Sequence, residues 1–571
     1  MSLRILGKSV EFRKFWVRNF KSLRDVTLDI PSKLTVVIGA NGSGKTALVE
    51  AFELLIDILE WSRGRVINPF TKWWGYNKVV WSHNEDLPIT LGLELKLEKI
   101  DKHQELGGEA LKYIIESLST KTPMEIIYEI DITGKGGDLH ILREKLSIHS
   151  KELNISIDNV RKTLDVVADI SIALDRLTKV LEWYRERWEK AKDSGKLLNI
   201  DSLLRGIIFD AVPSALRRYV SEDLLGRVKS ELPLSALLRV LHIINIPSTN
   251  VEFQIRTVER YSVLEAFTEV EEDVKSDVVD PGYSVFDYIL GDVVGELGFK
   301  SLARFIGERI SFNTGSPEYQ EVVTEVLKGG GDVDEVFNTL KDLVSLLIAG
   351  RLLERIADYL VDASTVVFSF VDGVCVIRDI DWRVLRSAQD LTRQERLRYD
   401  ASNFVSFLFT ITGGNVGEGL EEALRYAFPG SEKVRVVFDV TTDGRVFIKL
   451  ISDTAQVTPP SIPSGVLKTL IIESLLLWRP TLIVIDEFEN SLHPELQQFL
   501  MDEFRGSDVY TIITTHSTVP LDYVKDVREV VVLKLEGGET KLYRLGEEEG
   551  RRLRESRLTL SELIHSKLLR I

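Results

Sequence analysis

Apolar and polar residues alternate along Val10–Phe20, Val26–Ile30 and Ile89–Leu97, the pattern of strands with one buried face. Met124–Ile132 reads as an antiparallel neighbour of Ile89–Leu97. It turns at Gly134-Lys135-Gly136-Gly137-Asp138 into Leu139–Leu142. Thr35–Ile38, Thr481–Ile485 and Val509–Thr515 are apolar without alternation, as strands buried on both faces of a parallel sheet are. Further strands are expected at Val366–Phe370 and Val374–Ile377, in a hairpin region near Val251–Val258, and in a hairpin of Val434–Val440 and Arg445–Leu450 closed by Thr442-Asp443-Gly444.

The period changes in the middle of the chain. Ile157, Val160, Leu164, Val167, Ile170, Leu174, Leu177, Leu181, Tyr184 and Trp188 recur every three or four positions. That spacing predicts a helix of about 35 residues, roughly 50 Å long. A second such stripe runs from Val333 to Leu360 after the break Gly329-Gly330-Gly331-Asp332. Two readings stand side by side: a short antiparallel coiled-coil arm, or a globular helical domain. The resulting expectation is an N-terminal lobe over 1–150, a helical insertion over 151–362 and a C-terminal lobe over 363–571.

Composition narrows the class. The 571 residues are 44% hydrophobic and 28% charged, ample for a globular core. The single cysteine, Cys375, excludes a disulfide framework and a Cys-based zinc site within one chain. The N-terminal apolar segment is too short for a signal sequence and no uncharged run reaches the length of a membrane span, so a cytoplasmic protein without a membrane partner is expected. Few Cys and Met beside abundant charged residues suggest a thermophile. The net charge of −16 argues against a protein that coats nucleic acid. Two stretches are locally basic: Arg13, Lys14, Arg18, Lys21 and Arg24, and a tail with Arg551, Arg552, Arg554, Arg557, Lys567 and Arg570.

Candidate chemistry sits at strand ends. After Thr35–Ile38 comes Gly39-Ala40-Asn41-Gly42-Ser43-Gly44-Lys45-Thr46, a match to G-x-x-x-x-G-K-[ST], and then an apolar-striped helix. Strand, glycine loop and helix stand in the order a phosphate-binding loop needs. The loop amides and the helix N-terminus favour an anion, Lys45 can reach the β- and γ-phosphates, and the Thr46 hydroxyl can ligate Mg²⁺. Asp486-Glu487 follow the buried run Thr481–Ile485, where an Asp can hold Mg²⁺ and a Glu can activate water. His516 follows Val509–Thr515 and can reach a γ-phosphate.

Together, Gly39–Thr46, Ile485-Asp486-Glu487-Phe488-Glu489-Asn490-Ser491-Leu492-His493-Pro494 and Thr514-Thr515-His516-Ser517 resemble the ABC-type ATPase heads of the SMC/RecF/OLD class, above all its RecF- and OLD-like members. Arg18–Leu23, Asp400–Phe404 and Phe428-Pro429 resemble other parts of that pattern. The resemblance covers roughly 10–100 and 395–520. It implies an α/β fold, a P-loop NTPase ABC-type head built from N- and C-terminal lobes with a mainly helical insertion. It also implies ATP and Mg²⁺ as cofactors. Gly39, Asn41, Gly42, Ser43, Gly44, Lys45 and Thr46 would bind nucleotide, Thr46 and Asp486 metal, and Glu487 and His516 would be the catalytic base and switch histidine. His493 falls where ABC proteins carry the D-loop Asp, facing a partner. Ser461–Leu467 stands at the signature loop, with Pro463 at the usual Ser position, Ser464 displaced by one, and Gly465 at the helix start. Gln104 is the candidate Q-loop residue. The class implies ATP-driven head-to-head homodimers. Three roles remain open: association with DNA in chromosome organisation or repair, a defence ATPase working with a separate effector such as a nuclease, or a P-loop ATPase with a non-DNA protein client. About 55 residues follow His516, too few for the Toprim nuclease domain of OLD nucleases.

Overall fold

The computed structural model describes residues 10–98, 123–194, 200–257, 262–264, 288–428, 433–453 and 455–546, with residues 548, 550–551, 555 and 559–565 near the end. Gln104, Pro429 and most of the basic C-terminal tail lie outside them. The chain divides into two compact units. One comprises residues 1–113, 128–142 and 366–571, the other 114–127 and 143–365.

The first unit holds the chemistry. Its elements are β1 (Val10–Phe20), β2 (Leu23–Asp29), β3 (Leu34–Gly39), α1 (Lys45–Ser62), β4 (Ile89–Leu97), β5 (Val374–Ile377), α2 (Ser464–Trp478), β6 (Leu482–Ile485), β7 (Tyr510–Thr515), β8 (Val530–Glu536) and β9 (Glu539–Arg544). The central sheet runs in the order β5-β6-β7-β3-β8-β9. All neighbours are parallel except β8 and β9. Both flanks of β3 come from the far end of the chain: Val36 pairs with Ile513 on one side and Val530 on the other. The apolar runs are buried as their lack of alternation predicts. All four side chains of β6 are fully buried, each contributing roughly 1.5–3 kcal/mol relative to exposure.

A second, antiparallel layer in this unit is built on β1, which pairs with β2 and β4. Its inward residues Phe12, Phe15 and Val17 are buried. The Phe15 ring stacks on Phe52 of α1 with centroids 4.0 Å apart, fixing the helix against the sheet. The hairpin Val434–Val440 with Val446–Ser452 forms as its turn residues predict.

The other unit differs from the expected long helix. Leu153–Asp158 and Thr163–Asp169 are paired strands, and a helix begins only at Ser171 and ends at Asp193. The cause is local. Asp158 accepts backbone N–H bonds from Val160 and Arg161, a turn that stops a helix. Beyond it Leu164, Val166 and Ala168 are buried while Asp165 and Val167 are exposed, so period two prevails. The strand Asn250–Arg256 extends this antiparallel array beside Thr163–Asp169. The second stripe is a helix, Val333–Asp372, and it is longer than expected. It absorbs the strand expected at Val366–Phe370, because nothing breaks the helix before Gly373. From Leu343 to Thr365, the part of the helix within this unit, no residue is exposed. A coiled-coil seam would bury one narrow stripe; burial on every side is that of a central helix in a globular domain. Among the described residues, no helix is long and apolar enough to cross a membrane.

That long helix carries a half-buried carboxyl. Burial first, then Glu354 and Asp362, push Asp358 up to about 7 against the pull of Arg355 and Arg176. In the unfolded chain the group has its ordinary value of 3.8. Between these two values the folded state keeps a proton that the unfolded state has lost. Stability is therefore full below the lower value and falls as pH rises towards 7. Asp358→Asn is expected to remove this loss. Denaturant midpoints of variant and parent should converge near pH 4, and at pH 8 the variant should be more stable by roughly 2–4 kcal/mol.

Candidate functional site

The site lies at the carboxyl ends of β3, β6 and β7. Parallel register sets this: Ile377, Ile485 and Ile513 stand in one row, so the segment after each strand leaves the sheet on the same edge. Gly39–Gly44 form the loop and Lys45 opens α1. Gly44 sits at φ 100° with Thr540 packed against it, so a side chain there meets both backbone strain and a steric block. Thr540, on β9, donates to the Ser43 carbonyl at 3.0 Å and to Ser22 Oγ at 2.8 Å. The underside of the loop is thus held by the last hairpin of the sheet and by the turn between β1 and β2.

Lys45 is buried, and its Nζ donates to the carbonyls of Gly39 at 2.7 Å and Ala40 at 3.0 Å. Burial holds its amine below the ordinary lysine range, opposed by the charges of Asp486, Glu489 and Glu487. Those carboxylates therefore lie within electrostatic reach of the loop lysine, although some 440 residues separate them from it. Asn41, Gly42 and Thr46 are exposed, and Ser43 is buried beneath them. A cavity of about 500 Å³ adjoins the loop, lined by Gly39, Asn41, Ser43, His516, Leu521 and Leu533 among others.

Three residues arrange the acidic side. The buried Thr514 hydroxyl accepts the Glu487 N–H at 3.0 Å and donates to Asp486 Oδ1. Glu487 is exposed, has φ 48°, and its carboxylate accepts from Asn490. A non-glycine residue in the left-handed region is strained, and the Thr514 bond holds it there. Glu489 accepts the His516 N–H at 2.7 Å, tying the turn after β6 to the turn after β7. Lys468 reaches the same turn from α2. Its buried amine donates to the carbonyls of Glu487, Phe488 and Asn490 at 2.9, 3.0 and 3.1 Å. Burial lowers that amine to about 8.

The loop Ser461–Gly465 lies on the same block. Gly465 approaches the Ser491 carbonyl so closely that a Cβ would clash with it. Ser464 Oγ accepts from Arg386 Nη2 at 2.6 Å. His493 is exposed and caps the helix Pro494–Gly506. Gly39–Thr46, Asp486, Glu487 and His516 therefore share one edge of the sheet. Ser464, Gly465 and His493 belong to the adjoining block of α2 and the turn after β6. Lys468, Thr540 and Arg386 carry no motif that singles them out in the sequence, and Thr514 stands in the Thr514–Ser517 motif without a role of its own there. Lys468 leaves one trace there, a lysine within the apolar run Val466–Leu475. Glu489 is the second acid of the Asp-Glu-Phe-Glu pattern.

Comparison with known proteins gives two family matches. Residues 11–199 match the AAA ATPase domain, and residues 379–522 match a model described as AAA domain, putative AbiEii toxin, Type IV TA system. No curated protein gives a significant match. Among solved structures, an Smc head domain with an extended coiled coil, bound to the C-terminal domain of ScpA and derived from Pyrococcus furiosus, is 10% identical over 96% of this chain and 99% of its own, with TM-score 0.34. An SmcHead bound to the C-winged helix domain of ScpA is 10% identical over 94% and 99%, with TM-score 0.33. An Smc head with coiled coil and joint from Pyrococcus yayanosii is 12% identical over 96% and 100%, with TM-score 0.33.

Thr514→Val keeps the shape of the side chain and removes the hydroxyl shared by Asp486 and Glu487. If Asp486 and Glu487 serve ATP turnover as the resemblance implies, turnover is expected to fall about 10²-fold, because those two groups lose their alignment. ATP affinity should hold within a few-fold, since Thr514 makes no bond to the loop. Parallel turnover and equilibrium-binding measurements check both.

Proposed function

We propose, from the premise that this chain is an ABC-type, SMC/RecF-like ATPase, that it binds ATP at Gly39–Thr46 and hydrolyses it. In this reading Lys45 leaves the Gly39 and Ala40 carbonyls and takes the β- and γ-phosphate oxygens. Glu487 orients and deprotonates the attacking water, and His516 meets the γ-phosphate from the neighbouring strand end. The observation that carries the reading is the convergence of Lys45 with Asp486, Glu487 and Glu489 from opposite ends of the sequence.

Mg²⁺ suits the donors present. It commonly takes one or two protein oxygens and completes its shell with phosphate and water. Thr46 and Asp486 offer that number. When bound, Mg²⁺ would neutralise charge on the phosphates.

We further propose that two copies engage head to head. Each would present Ser464, Gly465 and His493 to the nucleotide site of the other, and hydrolysis would release them. DNA is the client favoured by the resemblance, but among the described residues the first basic stretch lends it little charge. The cations of the first basic stretch all face carboxylates: Arg13 with Glu11, Lys14 with Glu94, Arg18 with Asp25 and Glu129, Lys21 with Glu50, and Arg24 with Glu539. A second reading, a defence ATPase acting with a separate effector, is favoured by the toxin-system description of the model that matches residues 379–522. Co-purification of a nuclease or other effector supports that second reading.

Lys45→Ala is expected to abolish ATP binding in equilibrium titration; normal affinity overturns the nucleotide assignment. Glu487→Gln should keep ATP binding, lose turnover by about 10²-fold or more, and accumulate dimers with ATP but not ADP in sedimentation. Unchanged turnover removes Glu487 from its role. If DNA is the client, duplex binding should require ATP and weaken steeply with salt. Salt-independent or absent binding rejects it.

A further inference from the structure

Arg386 is a cation without a counter-ion. It caps the short helix Trp382–Leu385 and makes no ion pair among the described residues. Its Nε and Nη2 donate to the Ile462 carbonyl at 3.4 and 3.2 Å, and Nη2 also donates to Ser464 Oγ at 2.6 Å. The Nη1 hydrogens have no acceptor among the described residues. Most other arginines of this unit, including Arg63, Arg378, Arg396 and Arg505, sit against carboxylates, in a chain whose net charge is −16.

A half-buried guanidinium whose acceptors are all neutral keeps its full charge available for an anion. Its position says which anion. Arg386 is fastened to Ser464, in the loop that a second copy would apply to the neighbouring nucleotide. That loop has Pro463 where a hydroxyl would be expected, and Arg386 places a guanidinium beside it. The Ser464 hydroxyl accepts from the guanidinium and so keeps its own proton free to donate to the same anion.

We propose that Arg386 contacts the terminal phosphate of a nucleotide held in the P-loop of a second copy of this chain, with Ser464 and Ile462 holding the guanidinium in place. The proposal rests on the engagement reading above. It makes Arg386 a residue contributed in trans: it adds nothing to nucleotide binding by one copy and strongly favours ATP over ADP once two copies meet.

The test uses the full chain carrying Glu487→Gln, alone and combined with Arg386→Lys or Arg386→Gln. Glutamine can still donate to Ile462 and Ser464 but has no charge; lysine keeps the charge. Binding of a fluorescent ATP analogue is measured at a concentration where the chain is monomeric, and the ATP-dependent dimer constant by sedimentation. Both combined variants should bind nucleotide as the parent does. Arg386→Gln should weaken the ATP dimer by about 10- to 100-fold, bringing it to the level seen with ADP, and Arg386→Lys should recover most of that loss. If Arg386→Gln dimerises like its parent, if lysine fails as badly as glutamine, or if monomer affinity drops with Arg386→Gln, the proposal falls alone. A Glu487→Gln parent that binds ATP yet stays monomeric overturns the engagement reading and this proposal with it.

Discussion

The structure depends on the placing of β3 between β7 and β8. One strand from the first 40 residues is hydrogen-bonded on both sides to strands from beyond residue 509. The chain closes an interval of more than 470 residues to make those pairs. Such closure costs entropy that grows only slowly with length. The reward is a strand with every inward side chain buried, and β6 joins the same row. The second unit can therefore vary in content without altering the site, provided its ends return to the same place. The loop after β3 needs that far end as well, because Thr540 supports Ser43 and fills the space beside Gly44.

Charge is distributed with equal economy. Glu50 and Glu53 are buried on α1 and are bracketed by Lys21, Lys72, Trp73 and Arg378. An isolated buried carboxylate would be costly, so these cations are committed to the interior. Lys21 is one of the residues that make the first stretch look basic. The stretch that reads as locally basic in the sequence is, after folding, a set of cations each facing a carboxylate, that of Lys21 on the helix that carries the loop and those of the others on strands. Arg386, like Arg544, has only neutral acceptors, and it differs from Arg544 in being fastened to the Ser461–Gly465 loop.

The P-loop, the three strand-end motifs and the buried strands are legible in the sequence because each is contiguous: a glycine pattern, or a run of β-branched residues ending in a polar one. Lys468, Thr540, Arg386 and the hydrogen-bonding role of Thr514 are not, because their partners are distant in sequence or are backbone carbonyls with no residue signature. The stretch from Ile157 to Ile170 misleads for another reason. Apolar residues chosen every three or four positions also satisfy alternation when valines are adjacent, and only the Asp158 turn decides between the two. At Val366–Phe370 the local β preference is correct as a preference and loses to a helix that has already run thirty residues without a breaker.

Gly465 and Lys468 have a mechanical meaning. The glycine lets the start of α2 lie directly on the Ser491 carbonyl, and the lysine ties the same helix to three carbonyls around Glu487. The start of α2 and the turn that holds Glu487 are therefore one packed part with two ends. A displacement at either end is transmitted to the other by hard contact, as in a rocker arm, and needs no relay of flexible side chains. In any assembly seated on the start of α2, each subunit would sense its neighbour's state through the same piece that sets its own.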